Sequence, residues 1–76
     1  MGYINYKDKI IAFFMNNETN QTQFTIEEIM NLSDCYSERY AIVAIGKCVE
    51  NDILKKITVN GVKNKYKGHL FSLNNM

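Results

Sequence analysis

The stretch whose reading decides the fold runs from Thr25 to Glu50. It reads Thr-Ile-Glu-Glu-Ile-Met-Asn-Leu (25–32), Ser-Asp-Cys-Tyr (33–36) and Ser-Glu-Arg-Tyr-Ala-Ile-Val-Ala-Ile-Gly-Lys-Cys-Val-Glu (37–50). Thr25 followed by Glu28 fits a capping box, in which hydroxyl and carboxylate each satisfy an exposed backbone N–H. Ile26, Ile29, Met30 and Leu32 then supply the inward face of a short helix ending near Leu32-Ser33. Ser33 to Tyr36 reads as a turn with two good cap residues. A longer helix starts near Tyr36 or Ser37 and runs to about Glu50. Its inward stripe is Ala41, Ala44 or Ile45, Cys48 and Val49, widened by Tyr40, Ile42 and Val43. Gly46, in mid-helix, costs about 1 kcal/mol relative to alanine. A close helix crossing or a functional approach would account for it.

Upstream, Tyr3 to Met15 is periodic, with Tyr6, Ile10, Phe13 and Phe14 on one helical face. Asn5 can cap its start, with Asp8 in the favourable first turn. Ile10 to Met15 is apolar nearly all round, so this helix is wrapped by the domain or covered by a partner. Asn16 to Gln23 contains no apolar residue and reads as a loop. Phe24 opens a very short strand or staples the next helix.

Downstream, Asn51-Asp52 stops the third helix. Ile53 to Val59 is β-branched and roughly alternating, hence a strand with Ile53, Ile57 and Val59 on one face. His69 to Leu73 alternates again, with His69, Phe71 and Leu73 together. Asn60-Gly61 is a hairpin signal. A tight turn there would set Lys56 against Lys65, an unfavourable pairing. A long loop from Asn60 to Gly68, with Ile57 and Val59 facing Phe71 and Leu73, avoids it.

The 76 residues form one domain, 1–76, burying roughly 60–65% of the surface of the unfolded chain. That leaves no room for a deep catalytic cavity. The apolar share of 46% argues against disorder. No apolar run approaches the ~18 residues of a membrane helix, and no secretory leader is visible, so a cytoplasmic location is expected. The net charge of +1 hides a strong asymmetry. Residues 1–52 hold all eight acids and four bases, 4 − 8 = −4; residues 53–76 hold five lysines and no acid, +5. An unneutralised basic segment attracts phosphate. Cys35 and Cys48 have no metal-ligand partners near them in sequence, and His69 is the lone histidine. Zinc and a Cys–His nucleophile are therefore not expected, and neither is any cofactor.

In its order of elements the chain resembles the winged helix-turn-helix family. The resemblance is carried by residues 25–32, the turn 33–36, the helix 37–50 and the hairpin from Ile53 to Leu73. It is closest to compact bacterial, plasmid or phage regulators, and the asparagine-rich composition suits a low-GC mobile element. The resemblance implies an α+β fold: three helices followed by a β-hairpin wing, with a very short strand possible before the second helix. It also implies a DNA-binding transcriptional or replication regulator whose third helix enters the major groove. The matching outward positions are Tyr36, Ser37, Glu38, Arg39, Tyr40, Val43 and Lys47. Arg39 suits a bidentate contact to guanine. Ser37 could donate to a phosphate or base. Glu38 could accept from cytosine or simply favour the helix start. On the wing, Lys63, Asn64, Lys65, Tyr66 and Lys67 form the second contact. Alternation on an extended loop would put the three lysines on one side as a phosphate rail. Tyr66 could pack the wing or lie against sugar, and His69 is more readily structural than a phosphate donor. Lys55 and Lys56 point to opposite faces.

One small domain reads few base pairs, so a dimer or a partner is expected, with Ile11, Phe14 and Met15 of the first helix as the surface for a possible homodimer. The alternative is a winged helix that binds protein, such as a phage or plasmid inhibitor of a host protein. It is suggested by the apolar first helix and the weakly basic third one. The chain offers no catalytic set, so no enzyme is expected.

Overall fold

The computed structural model describes residues 5–74. Tyr3 and Ile4, where the periodic stretch begins, lie outside them. Helix α1 spans Tyr6–Met15, α2 Ile26–Ser33 and α3 Glu38–Glu50; strands β1 (Leu54–Ile57) and β2 (Leu70–Leu73) follow and pair antiparallel. Local chemistry sets each helix start. Asn5 Oδ1 accepts from Asp8 N–H (3.2 Å), and Ser37 Oγ accepts from Tyr40 N–H (3.4 Å). At α2 the full capping box forms: Glu28 N–H donates to Thr25 Oγ1 (3.2 Å) and Thr25 N–H to Glu28 Oε1 (3.0 Å).

The Thr25 backbone bond, helped by the Gln21 amide, holds the Glu28 carboxyl below its ordinary 4.5. A depressed folded-state value means this stabilisation is present above pH 4.5 and lost as pH falls through the lower value. Glutamine also closes the box but does not titrate. Glu28→Gln is therefore expected to lose less stability than the natural chain between pH 5 and 3, read as the change in urea midpoint.

Ile10 and Phe14 of α1, Phe24, Ile26 and Ile29 of α2, Ala41, Ala44, Ile45 and Cys48 of α3, Leu54 and Phe71 form the buried core, with Cys35 beside them. Phe13, Phe14 and Phe24 meet edge-to-face, with ring centroids 5.0–5.6 Å apart. Such contacts are worth about 0.5–1.5 kcal/mol each beyond burial. Phe24 does make a very short strand. Its N–H donates to the Phe71 carbonyl (2.9 Å) and its carbonyl accepts from Phe71 N–H (2.8 Å), a single bridge on the far side of β2.

Four details differ from the sequence reading. Leu32 is 59% exposed, and Ser33 lies inward in its place, its hydroxyl donating to the Ile29 carbonyl. At about 100° per residue, 26, 29 and 33 share a face from which 32 is turned away. In the first strand the core takes Leu54, while Ile53, Ile57 and Val59 are half-buried. Ile53 is still completing the helix end, its N–H donating to the Cys48 carbonyl (2.8 Å), so the inward phase begins one residue later. The pairing is Ile57 with Leu70 and Lys56 with Phe71, which rejects the facing of Ile57 and Val59 with Phe71 and Leu73. Finally, Phe14 belongs to the core, so the spare face expected of α1 reduces to Met15 and part of Ile11.

A long connection forms, as expected, but it takes in Thr58, Val59 and His69 beyond the expected 60–68, and it does not zip at Asn60-Gly61. Val62 N–H donates to the Val59 carbonyl (3.3 Å), and Gly61 has φ 88° while Asn60 does not turn positive. The type I′ turn that an Asn-Gly hairpin favours needs both central residues positive. The turn is therefore a local kink.

Candidate nucleic-acid interface

Helix α3 is held at its start by a side chain from α1. The Tyr6 hydroxyl accepts from both Tyr36 N–H and Ser37 N–H (3.1 Å each), and its ring meets Tyr40 edge-on at 6.3 Å. These bonds and the Ser37 cap satisfy the amides of Tyr36, Ser37 and Tyr40 inside the protein. Ser37 is the cap itself. The hydrogen-bonding and negative charge of the nearby Asp34 carboxylate push the Tyr36 phenol above its ordinary 10. Lys9 reaches across the turn, donating to the Asp34 carbonyl (3.0 Å) and lying 5.9 Å from the Tyr36 ring centre.

Arg39, Tyr40, Val43 and Lys47 are exposed along one stripe of α3, and Tyr36 extends it past the N-terminus. Tyr36, Tyr40, Val43 and Lys47 lie three or four residues apart, the repeat of one helix face, and Arg39 borders it three residues after Tyr36 and four before Val43. Tyr40 and Val43 thus face solvent and do not widen the inward stripe.

The long loop between β1 and β2, residues 58–69, here called the wing for its position only, is fastened along one flank of this stripe. Tyr66 lies over Gly46, where an added Cβ would come within 3.2 Å of the Tyr66 hydroxyl oxygen. Gly46 thus accommodates an aromatic ring from the wing, not a crossing helix. On its other contacts the Tyr66 ring is 6.5 Å from that of Phe71 and carries the ammonium groups of Lys56 and Lys65 at 5.5 and 5.4 Å. Lys56 also donates to the Lys65 carbonyl (2.9 Å), so it supports the wing from the inward phase of β1, while Lys55 is exposed. Lys67 pairs with Glu38 across 3.2 Å. Both partners are about half-exposed, so the pair positions more than it stabilises.

The wing is coiled, which overturns the extended rail. Asn64 Oδ1 accepts from Tyr66 N–H (3.0 Å) and Lys67 N–H (2.9 Å), closing a tight turn. Gly68 has φ 96°, and a Cβ there would sit 2.9 Å from a Val62 methyl, so glycine is required twice over. His69 is buried beneath this coil. Val59 N–H donates to its Nδ1 (3.0 Å), so Nε2 carries the proton and donates to the Asn64 carbonyl (2.8 Å). Asn64, Tyr66 and His69 are therefore builders of the wing. Lys63, Lys65 and Lys67 remain exposed on it.

Both cysteines are buried free thiols, and burial pushes the Cys48 thiol above its ordinary 9. Among the described residues no three His, Cys, Asp or Glu side chains gather as metal ligands, and no helix is long and apolar enough to cross a membrane. A shallow open groove between α1 and α2 is lined by Lys9, Ala12, Phe13, Asn16, Glu18 and Leu32.

The sequence reading grouped the α3 stripe and the wing but missed what joins them. Tyr6 was read as core, and nothing in residues 38 and 67 alone pairs them. Lys56 beside a tyrosine-bearing basic loop was the one available hint of a cation–aromatic stack. Compared with family models, curated proteins and solved structures, the chain matches none of them.

Proposed function

We propose that the chain is a winged helix-turn-helix domain that binds double-stranded DNA sequence-specifically and without catalysis, as a transcriptional regulator. The observation that carries this reading is the exposed α3 stripe with a lysine-bearing wing fastened beside it by the Tyr66–Gly46 contact and the Lys67–Glu38 pair. A helix fits the major groove, about 12 Å wide, while a flanking basic loop can follow the phosphates. Arg39 is the base reader. Lys47, Lys63 and Lys65 are exposed for the backbone, with Lys67 shared with Glu38. Glu38, already engaged, serves the helix start in preference to a cytosine contact. Two copies on a double site would raise selectivity above what one domain supplies.

The test is fluorescence anisotropy with random-sequence duplex at two salt concentrations. Micromolar binding is expected, with log K falling against log salt at a slope near −4 for about four or five neutralised phosphates. Replacing Lys63, Lys65 and Lys67 together should weaken all sequences alike. On a selected site, Arg39→Ala should relax discrimination at one or two base pairs by about 1–3 kcal/mol. An Arg39→Ala chain with unchanged affinity and preference removes the base-reading role of α3. A second reading, a protein-binding winged helix, is favoured by the exposed Leu32 at the groove and the exposed Met15 of α1. Absence of DNA binding at low salt would move the assignment there.

A further inference from the structure

We propose that the α3 face reads thymine 5-methyl groups, so that the chain selects A·T-rich duplex interrupted by a guanine for Arg39. The inference rests on the DNA-binding reading and specifies its target.

Tyr36, Tyr40 and Val43 are 74%, 64% and 52% exposed, and all three lie on the stripe that also carries Arg39 and Lys47. A surface helix normally turns polar residues outward. Here the outward hydrogen-bonding capacity is thin. Glu38 is drawn to Lys67, and the Ser37 hydroxyl oxygen accepts from Tyr40 N–H. That leaves the Arg39 guanidinium and the tyrosine hydroxyls as the side-chain groups near the front of the helix.

The apolar feature that a thymine presents in the major groove is its 5-methyl group. Val43 has no polar side-chain atom, so a productive contact to a base edge is a methyl contact. It stands one turn beyond Arg39, about 6 Å along the axis at 1.5 Å per residue. That is under two base-pair steps of about 3.4 Å. A guanine read by Arg39 and a thymine read by Val43 can therefore be near neighbours. The occupant is a polyanion and not an apolar protein surface because of what flanks the stripe. Lys63 and Lys65 are exposed on the adjoining wing, and residues 53–76 contain no acid.

The probes are two short duplexes, alternating d(A-T) and alternating d(A-U), which differ in the 5-methyl group of each pyrimidine. The full chain is titrated with each by anisotropy at the same salt, beside random-sequence duplex. Affinity is expected to fall about fourfold for each methyl contact withdrawn. In Val43→Ala, affinity for the d(A-T) duplex should drop toward that for d(A-U), and the ratio should approach one. Equal binding of both duplexes by the natural chain overturns the thymine inference and leaves DNA binding standing. A ratio that persists unchanged in Val43→Ala assigns the difference to duplex shape and also overturns it. No binding to either duplex or to random sequence overturns the DNA reading itself.

Discussion

Phe71→Ala is expected to remove about 3–5 kcal/mol, a large fraction of the total stability of the chain. A chain of 76 residues has about 4–11 kcal/mol in total at the usual 0.05–0.15 kcal/mol per residue. Phe71 is fully buried at the centre of the core. Its backbone exchanges both hydrogen bonds with Phe24, pairs opposite Lys56 in β1, and its ring supports Tyr66 of the wing. The cavity therefore opens where the helices, the hairpin and the wing meet, and few neighbours can collapse into it. Urea unfolding followed by circular dichroism reads the loss directly. Val43→Ala, on the exposed face, serves as the control and should shift stability by less than about 0.5 kcal/mol. A Phe71→Ala loss below about 1 kcal/mol would contradict this placement of the core.

His69→Leu carries the next largest expected effect, about 2–3 kcal/mol. Leucine restores most of the buried volume but offers no partner to Val59 N–H or to the Asn64 carbonyl. Each buried polar group left unpaired costs about 1–3 kcal/mol, less where water reaches it. Val59 and Asn64 are not fully enclosed, which places the sum toward the lower end. The specific signature is local: hydrogen exchange at the Val59 amide should accelerate by more than the global loss of stability accounts for. Unchanged Val59 protection would mean that the imidazole does not hold the two ends of the wing together.

Three helices, their caps and the long hairpin loop were legible in the sequence because each is encoded within a few residues. Asn5 and Asp8, Thr25 and Glu28, and Ser37 and the start of α3 are contacts at spacings a linear reading can test. The unfavourable facing of Lys56 and Lys65 was enough to reject a tight hairpin. What escaped depends on distant partners. The inward phase of β1 is set by how α3 ends, through the Ile53–Cys48 hydrogen bond, so the run from Ile53 to Val59 by itself favoured the wrong residues. Gly46 could be flagged as costly, but the Tyr66 ring above it comes from the other side of the hairpin. Alternating lysines suggested an extended wing, yet the Asn64 amide oxygen capturing two backbone N–H groups coils it. Residues 36–47 and 63–67 could be singled out in the sequence, but not that Asn64, Tyr66 and His69 build the long loop through their own contacts.

The double hydrogen bond between Phe24 and Phe71 also bears on the route by which the chain folds. It joins residues far apart in the sequence, and between them lie α2, α3 and the whole wing. Helices of this length form within about a microsecond but are marginal alone. Their apolar faces stay wet until the chain closes that long loop and brings Phe71 home. The closure entropy is met before the buried contacts are gained, so the barrier lies at this encounter and not in making helices. The chain has no proline, hence no slow isomerisation step to hold back a fraction of molecules. Assembly and loss of the domain are accordingly concerted: releasing β2 undoes the sheet, the aromatic cluster and the seat of the wing in one event.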